Sequence, residues 1–182
     1  MRWMIASDIH GSAKWCERLL ETWRAEQPER LLLLGDLLYH GPRNDLPEDY
    51  APKRVIALLN GVADALLCVR GNCEAEVDQM VLDFPVMADY AAVPVGEHLL
   101  YATHGHVFGE EHPPKLRPGD ILLCGHTHIP ACRRHERFTY VNPGSVSIPK
   151  NGTPHSYCLL ENGTMTWHDL ERGGIYDRQR LF

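Results

Sequence analysis

The chain has 182 residues, of which 44% are hydrophobic and 23% charged, and a formal net charge of −6. That length suits one domain, expected over residues 1–182, and no apolar run approaches the ~18 residues of a membrane span. The acidic balance excludes the broad basic face needed for extended nucleic-acid binding but leaves room for a small anionic substrate at a local positive site.

Arg2 to Ser7 reads as a buried strand that runs straight into Asp8. It is too short for a signal peptide, so a cytoplasmic location is expected. Ser12 is placed to cap a helix that carries Trp15, Leu19 and Trp23 on one face. Leu31 to Leu34 follows as a second buried strand, Val55 to Val62 as part of a second helix, Ala65 to Val69 as a third strand and Glu76 to Phe84 as a short helix. This alternation predicts βαβ units and a largely parallel sheet. In the second half, Leu99–Ala102, Ile121–Cys124, Phe138–Val141, Tyr157–Leu160 and Thr164–Trp167 read as short strands separated by turn pairs such as Pro143-Gly144 and Asn162-Gly163. They suggest a second, more antiparallel sheet packed on the first, an α/β architecture with two sheets face to face and helices outside. Leu82, Phe84, Pro85 and Val86 would be either core or an exposed patch for self-association, which leaves a homo-oligomer open. The six cysteines include no CxxC pair, and most are expected to be free packing thiols.

The informative residues follow the apolar strands: Asp8-Ile9-His10-Gly11, Gly35-Asp36, Gly71-Asn72, His104-Gly105-His106 and Gly125-His126-Thr127-His128. The carboxyl ends of parallel strands line one crevice, so loops remote in sequence meet there. A single Asp after a strand is ordinarily a cap or turn residue, and a single buried His is ordinarily hydrogen-bonded. Five successive strand ends that each carry a metal-competent side chain are another matter. Asp, Asn and imidazole without thiolate suit Mn²⁺, Fe²⁺ or Zn²⁺, and a carboxylate can bridge two ions ~3.5–4 Å apart for phosphoryl displacement. Two divalent ions against Asp8, Asp36 and a hydroxide leave the centre net positive, matched to a phosphate ester.

These motifs resemble those of the calcineurin-like metallophosphoesterases. The likeness extends to His40-Gly41-Pro42-Arg43-Asn44, Arg70-Gly71-Asn72-Cys73, Glu76 to Met80 and Asn142 to Lys150, and it covers about residues 3–160. It implies a four-layer αββα sandwich. It also implies one metal held by Asp8, His10, Asp36 and His128, and a second by Asp36, Asn72, His104 and His126. Mn²⁺ is the expected ion, with Fe, Zn or Ni as alternatives, and the expected reaction is cleavage of a phosphodiester by in-line attack of a hydroxide bridging the two ions.

Asn72, Cys73, His106 and Arg43 are the catalytic candidates around those ligands. Arg43 would either grip phosphate oxygens or order its own Gly-Pro loop. Many family members have His where this chain has Cys73, and a thiol is a poorer acid near neutrality. Either His106 supplies the proton to the leaving oxygen, or the enzyme favours leaving groups that need little help. His40 would be a neighbour of Asp36 or a loop cap, Asn142 and Ser145 would brace the His126–His128 loop, and Glu76 and Asp78 would lie on a solvated helix face. Phosphomonoester or dinucleotide polyphosphate hydrolysis are the alternatives at the same site. A protein-binding module on this fold is the third reading, disfavoured because all seven ligand positions are intact.

Overall fold

The computed structural model describes residues 1–182. Two mixed β-sheets pack face to face. The first holds six strands, in spatial order β11 (Ile175–Arg180), β10 (Thr164–Asp169), β9 (Ser156–Glu161), β1 (Arg2–Ala6), β2 (Arg30–Leu33) and β3 (Leu66–Cys68), and the second holds five, β4 (Ala91–Val95), β5 (His98–Ala102), β6 (Asp120–Leu123), β8 (Phe138–Asn142) and β7 (Ala131–Arg134). β1 (Arg2–Ala6), β2 (Arg30–Leu33) and β3 (Leu66–Cys68) are parallel, with Met4 opposite Leu31 and Leu31 opposite Leu66. The unbroken Leu run of β2 is what a strand covered on both faces requires. Met4, Leu31 and Leu33 face α1 (Ala13–Glu26) and α2 (Pro52–Asn60), whereas Ile5 and Leu32 face the second sheet.

Ser12 caps α1 as expected, its hydroxyl accepting the Trp15 N–H. In the second sheet, β5 (His98–Ala102), β6 (Asp120–Leu123) and β8 (Phe138–Asn142) supply Leu100, Ala102, Ile121, Leu123 and Val141 to the core between the sheets. Their other faces bury Leu122 and Tyr140 beneath Leu116, so the outer face of this sheet is covered by a loop and the helices gather on the first sheet.

Several elements differ from the sequence reading. β9 (Ser156–Glu161) and β10 (Thr164–Asp169) extend the first sheet rather than the second, β9 running antiparallel to β1. The second sheet is not predominantly antiparallel, because β5, β6 and β8 pair in parallel. β4 (Ala91–Val95), β7 (Ala131–Arg134) and β11 (Ile175–Arg180) were not anticipated. All three are edge strands, and edges carry Pro and charge to prevent further pairing. Pro94 in β4, Arg133 and Arg134 in β7, and Asp177, Arg178 and Arg180 in β11 therefore mask the apolar alternation.

The helix expected over Glu76–Phe84 is α3 (Glu76–Gln79) alone. Beyond it Leu82, Phe84 and Val86 are buried at every second residue, an extended periodicity, and the Gln79 amide bonds the backbone of Leu82, Phe84 and Val86. Those three side chains are core rather than a surface patch. No helix is long and apolar enough to cross a membrane.

Candidate metal centre

The carboxyl ends of β1, β2, β3, β5 and β6 converge at one end of the two sheets and bring Asp8, His10, Asp36, Asn72, His104, His126 and His128 together. Asp8, His10, Asp36, His126 and His128 all have φ between 48° and 65°, the left-handed region that costs a residue with a Cβ roughly 1–2 kcal/mol. Such strain persists where the surroundings over-determine it and clusters at functional sites. Asp, Asn and His are also the types that tolerate this region best.

Three imidazoles are aimed by carbonyl groups. His10 Nδ1 donates to Tyr39 O (2.8 Å), His104 Nδ1 to Leu34 O (2.6 Å) and His128 Nδ1 to Ile148 O (2.7 Å). A carbonyl can only accept, so each Nδ1 carries a proton and each Nε2 faces inward, the atom that ligates a metal once it is free of its proton. His10 Nε2 lies 3.2 Å from His128 Nε2, and His104 Nε2 lies 3.2 Å from His126 Nδ1 and 3.1 Å from Asn72 Oδ1. Asp8 Oδ1 stands 3.6 Å from His10 Nε2 and 3.3 Å from His128 Nε2. Asp36 Oδ2 sits between the two groups, 3.7 Å from His10 Nε2 and 3.4 Å from His104 Nε2.

These residues fit cations. Asp8 Oδ1 is fully buried and has no hydrogen-bond partner, an arrangement too costly to keep for a carboxylate unless positive charge meets it. Burial would raise the Asp8 pKa, but His10, His128 and His104 overcome it and hold the carboxyl well below its ordinary range. His104 moves the other way: burial opposes its charging, yet Asp36 and Asp8 push it up to about 9. Burial and the His104 charge press His126 down to about 4. The cluster thus draws in positive charge, as protons where no metal competes.

The pattern of the calcineurin-like phosphoesterase superfamily domain matches residues 1–165. The chain belongs to that superfamily. Phosphodiesterase YfcE of Escherichia coli K12 is 49% identical over 166 residues, which span 91% of this chain and 90% of YfcE. The solved structure of YfcE, a phosphoesterase, superposes over the whole of both chains with a TM-score of 0.97 at 46% identity. The probable metallophosphoesterase YsnB of Bacillus subtilis is 24% identical over 98% of this chain and 97% of its own. Vps29 of Entamoeba histolytica, solved with Zn²⁺, shares the fold at a TM-score of 0.67 and 18% identity.

Around this cluster, the loops are locked by groups that carry no pattern in the sequence. Glu74 accepts N–H bonds from Asp36 (2.9 Å), Leu37 (2.7 Å) and Gly71, tying the loop after β2 to the loop after β3. Burial and the neighbouring Asp36 raise its pKa to about 6. No spacing rule marks a lone Glu in a turn as a brace between loops. Asp78 caps Ala75 N and Glu76 is exposed.

Asn142 donates to Gly125 O (2.7 Å) and Thr127 Oγ1 (3.1 Å), bracing the His126–His128 loop. Ser145 donates to Asp8 O (2.9 Å) and accepts from Ile148 N (2.9 Å), so it fixes the Asp8 loop and the segment whose carbonyl aims His128. The ring of His40 lies between Tyr39 and Tyr50 rather than against Asp36, and its carbonyl accepts from Asn44.

A cleft of about 370 Å³ opens over the clustered residues. Arg43 and Cys73 line it, and so do Asn44, Thr127 and Lys150. The Cys73 N–H donates to Asp36 Oδ1 (2.9 Å), and burial together with the Asp36 carboxylate pushes its thiol far above the ordinary range. His106 is exposed, with its ring centroid 5.4 Å from that of His104, and it lines a neighbouring groove with Gly105, Glu110 and Tyr140 rather than this cleft.

Proposed function

We propose that the chain is a metal-dependent phosphodiesterase working through two divalent ions, Mn²⁺ foremost, and that its substrate is a small phosphate diester. The observation that carries this reading is the buried, unpartnered Asp8 Oδ1 inside a ring of inward-facing imidazoles, in a chain that is 49% identical to a phosphodiesterase. Asp8, His10, Asp36 and His128 would hold one ion. Asp36, Asn72, His104 and His126 would hold the other, with Asp36 shared because its Oδ2 faces both imidazole pairs. When bound, such a pair supplies positive charge for the phosphate oxygens and acidifies the water that attacks phosphorus in line.

The chain's own groups do the rest. The Tyr39, Leu34 and Ile148 carbonyls keep the imidazoles in the ligating tautomer, and Glu74 holds the Asp36 and Asn72 loops in register. Arg43, at the cleft wall, donates to phosphate oxygens as charge grows on them. The Cys73 thiol is a weak proton donor, and His106 stands outside the cleft. The enzyme therefore works best on esters whose leaving oxygen needs little protonation.

The test is stoichiometry read together with turnover. Metal-stripped protein is expected to take up two equivalents of Mn²⁺ by calorimetry and to gain diester hydrolysis in step with the second. Full activity with one equivalent would contradict the two-ion assignment.

A further inference from the structure

The cleft wall holds two cations that come from different sheets. Arg43 lies in the loop after β2, and Lys150 lies in the loop after β8. Neither side chain is ion-paired or hydrogen-bonded within the chain. On a protein of net charge −6, the only charged groups lining the cleft apart from the ligand Asp36 are these two, and both are positive.

They reach the cleft from different loops. Gly41, two residues before Arg43, lies against Cys73. Lys150 is tied to the His128 loop, its N–H donating to His128 O (3.3 Å) and its carbonyl accepting from Thr153 N (3.1 Å) and Thr153 Oγ1 (2.7 Å). These bonds use only the Lys150 backbone and fix where its stem begins. The side chain is exposed at the rim, whereas His128 is buried. The wall also carries no Leu, Ile, Val, Met, Phe, Tyr or Trp, so a substituent beyond the scissile phosphate is recognised there by charge and hydrogen bonding.

We infer that Lys150 is a specificity-determining residue that binds a second anionic group of the diester, apart from the scissile phosphate. This rests on the phosphodiesterase reading above. A diester carries a single negative charge at phosphorus, which two divalent ions and Arg43 already meet. A rim lysine gains little from that charge and much from another anion placed at the rim, where a flexible ammonium acts as a point-charge phosphate binder. The substrate class is thus a phosphodiester with a further phosphate or carboxylate, such as a phosphorylated nucleoside or sugar, rather than one with two neutral arms.

The experiment uses two esters that differ at one position: the p-nitrophenyl ester of thymidine 5′-phosphate, with and without a 3′-phosphate. The Mn²⁺-loaded wild type is expected to prefer the 3′-phosphorylated ester. Lys150→Ala is expected to reduce that preference about tenfold, the order of one charge-assisted hydrogen bond, through KM rather than kcat, and Lys150→Arg to restore most of it. Equal losses on both esters through kcat would make Lys150 a structural support and overturn the inference, as would a wild type without preference. Cleavage of neither ester would instead overturn the phosphodiesterase reading on which the inference rests.

Discussion

Gly71 is the point where the loops after β2 and β3 touch, and a single methyl there should separate them. A Cβ on Gly71 would stand 2.5 Å from Asp36 N and 2.7 Å from Glu74 Oε2, with the Asp36 carboxylate closer still. Ordinary contact between such atoms begins near ~3.5 Å, so the loops must part by roughly 1 Å. The nearest obstacles include backbone, which cannot rotate away. Overpacking of this kind costs about 1–3 kcal/mol, and a ~1 Å misplacement of catalytic groups costs on the order of 10²-fold in rate. Gly71→Ala should therefore fold with a lowered melting temperature, bind Mn²⁺ more weakly by calorimetry and lose about two orders of magnitude in diester turnover. Gly61→Ala is the control, since its φ is −64° and its Cβ would meet only Leu58 O at 3.3 Å and Ala57 O at 3.5 Å. Wild-type Mn²⁺ affinity in Gly71→Ala would refute the claim that close approach of these loops builds the site.

Three further outcomes are expected. Glu74→Gln keeps one oxygen for two of the three N–H groups and strands the third, a cost of about 1–3 kcal/mol; an unchanged melting temperature would mean that Glu74 braces nothing. Cys73→His should raise turnover on esters with poor leaving groups more than on nitrophenyl esters, and equal effects on both would remove leaving-group protonation from the account. For His104, raised from 6.5 to about 9, the sign is that of a folded-state proton: its stabilisation of metal-free protein is complete below pH 6.5 and lost as pH climbs through about 9. Mn²⁺ displaces that proton, so affinity should rise across the same interval; a flat affinity profile in calorimetry from pH 6.5 to 9 would contradict this.

The loops of the candidate site were legible because the apolar strands run into short segments that combine Gly with Asp, Asn or His, and parallel strand ends share one crevice. The core strands were legible for the same reason, as unbroken runs such as Leu31 to Leu34. What escaped reading was set by tertiary context. The edge strands hide their pattern behind Pro94, Arg133 and Arg178, and the period-2 burial of Leu82, Phe84 and Val86 looked helical until the Gln79 side chain was seen to satisfy that backbone. Glu74 carries no local signature, because its three partners come from two loops. The left-handed backbone of His10, Asp36 and His126 had a signal that was available, an Asp or His next to Gly, whereas Asp8 and His128 have no such neighbour.

The most direct measurement is hydrolysis of bis-p-nitrophenyl phosphate by metal-stripped protein before and after Mn²⁺ is added, beside p-nitrophenyl phosphate. Silence without metal and preferential cleavage of the diester with it are the expected result. Turnover that is indifferent to metal, or absent with Mn²⁺, Fe²⁺, Zn²⁺ and Ni²⁺ alike, would contradict a metal-dependent phosphodiesterase.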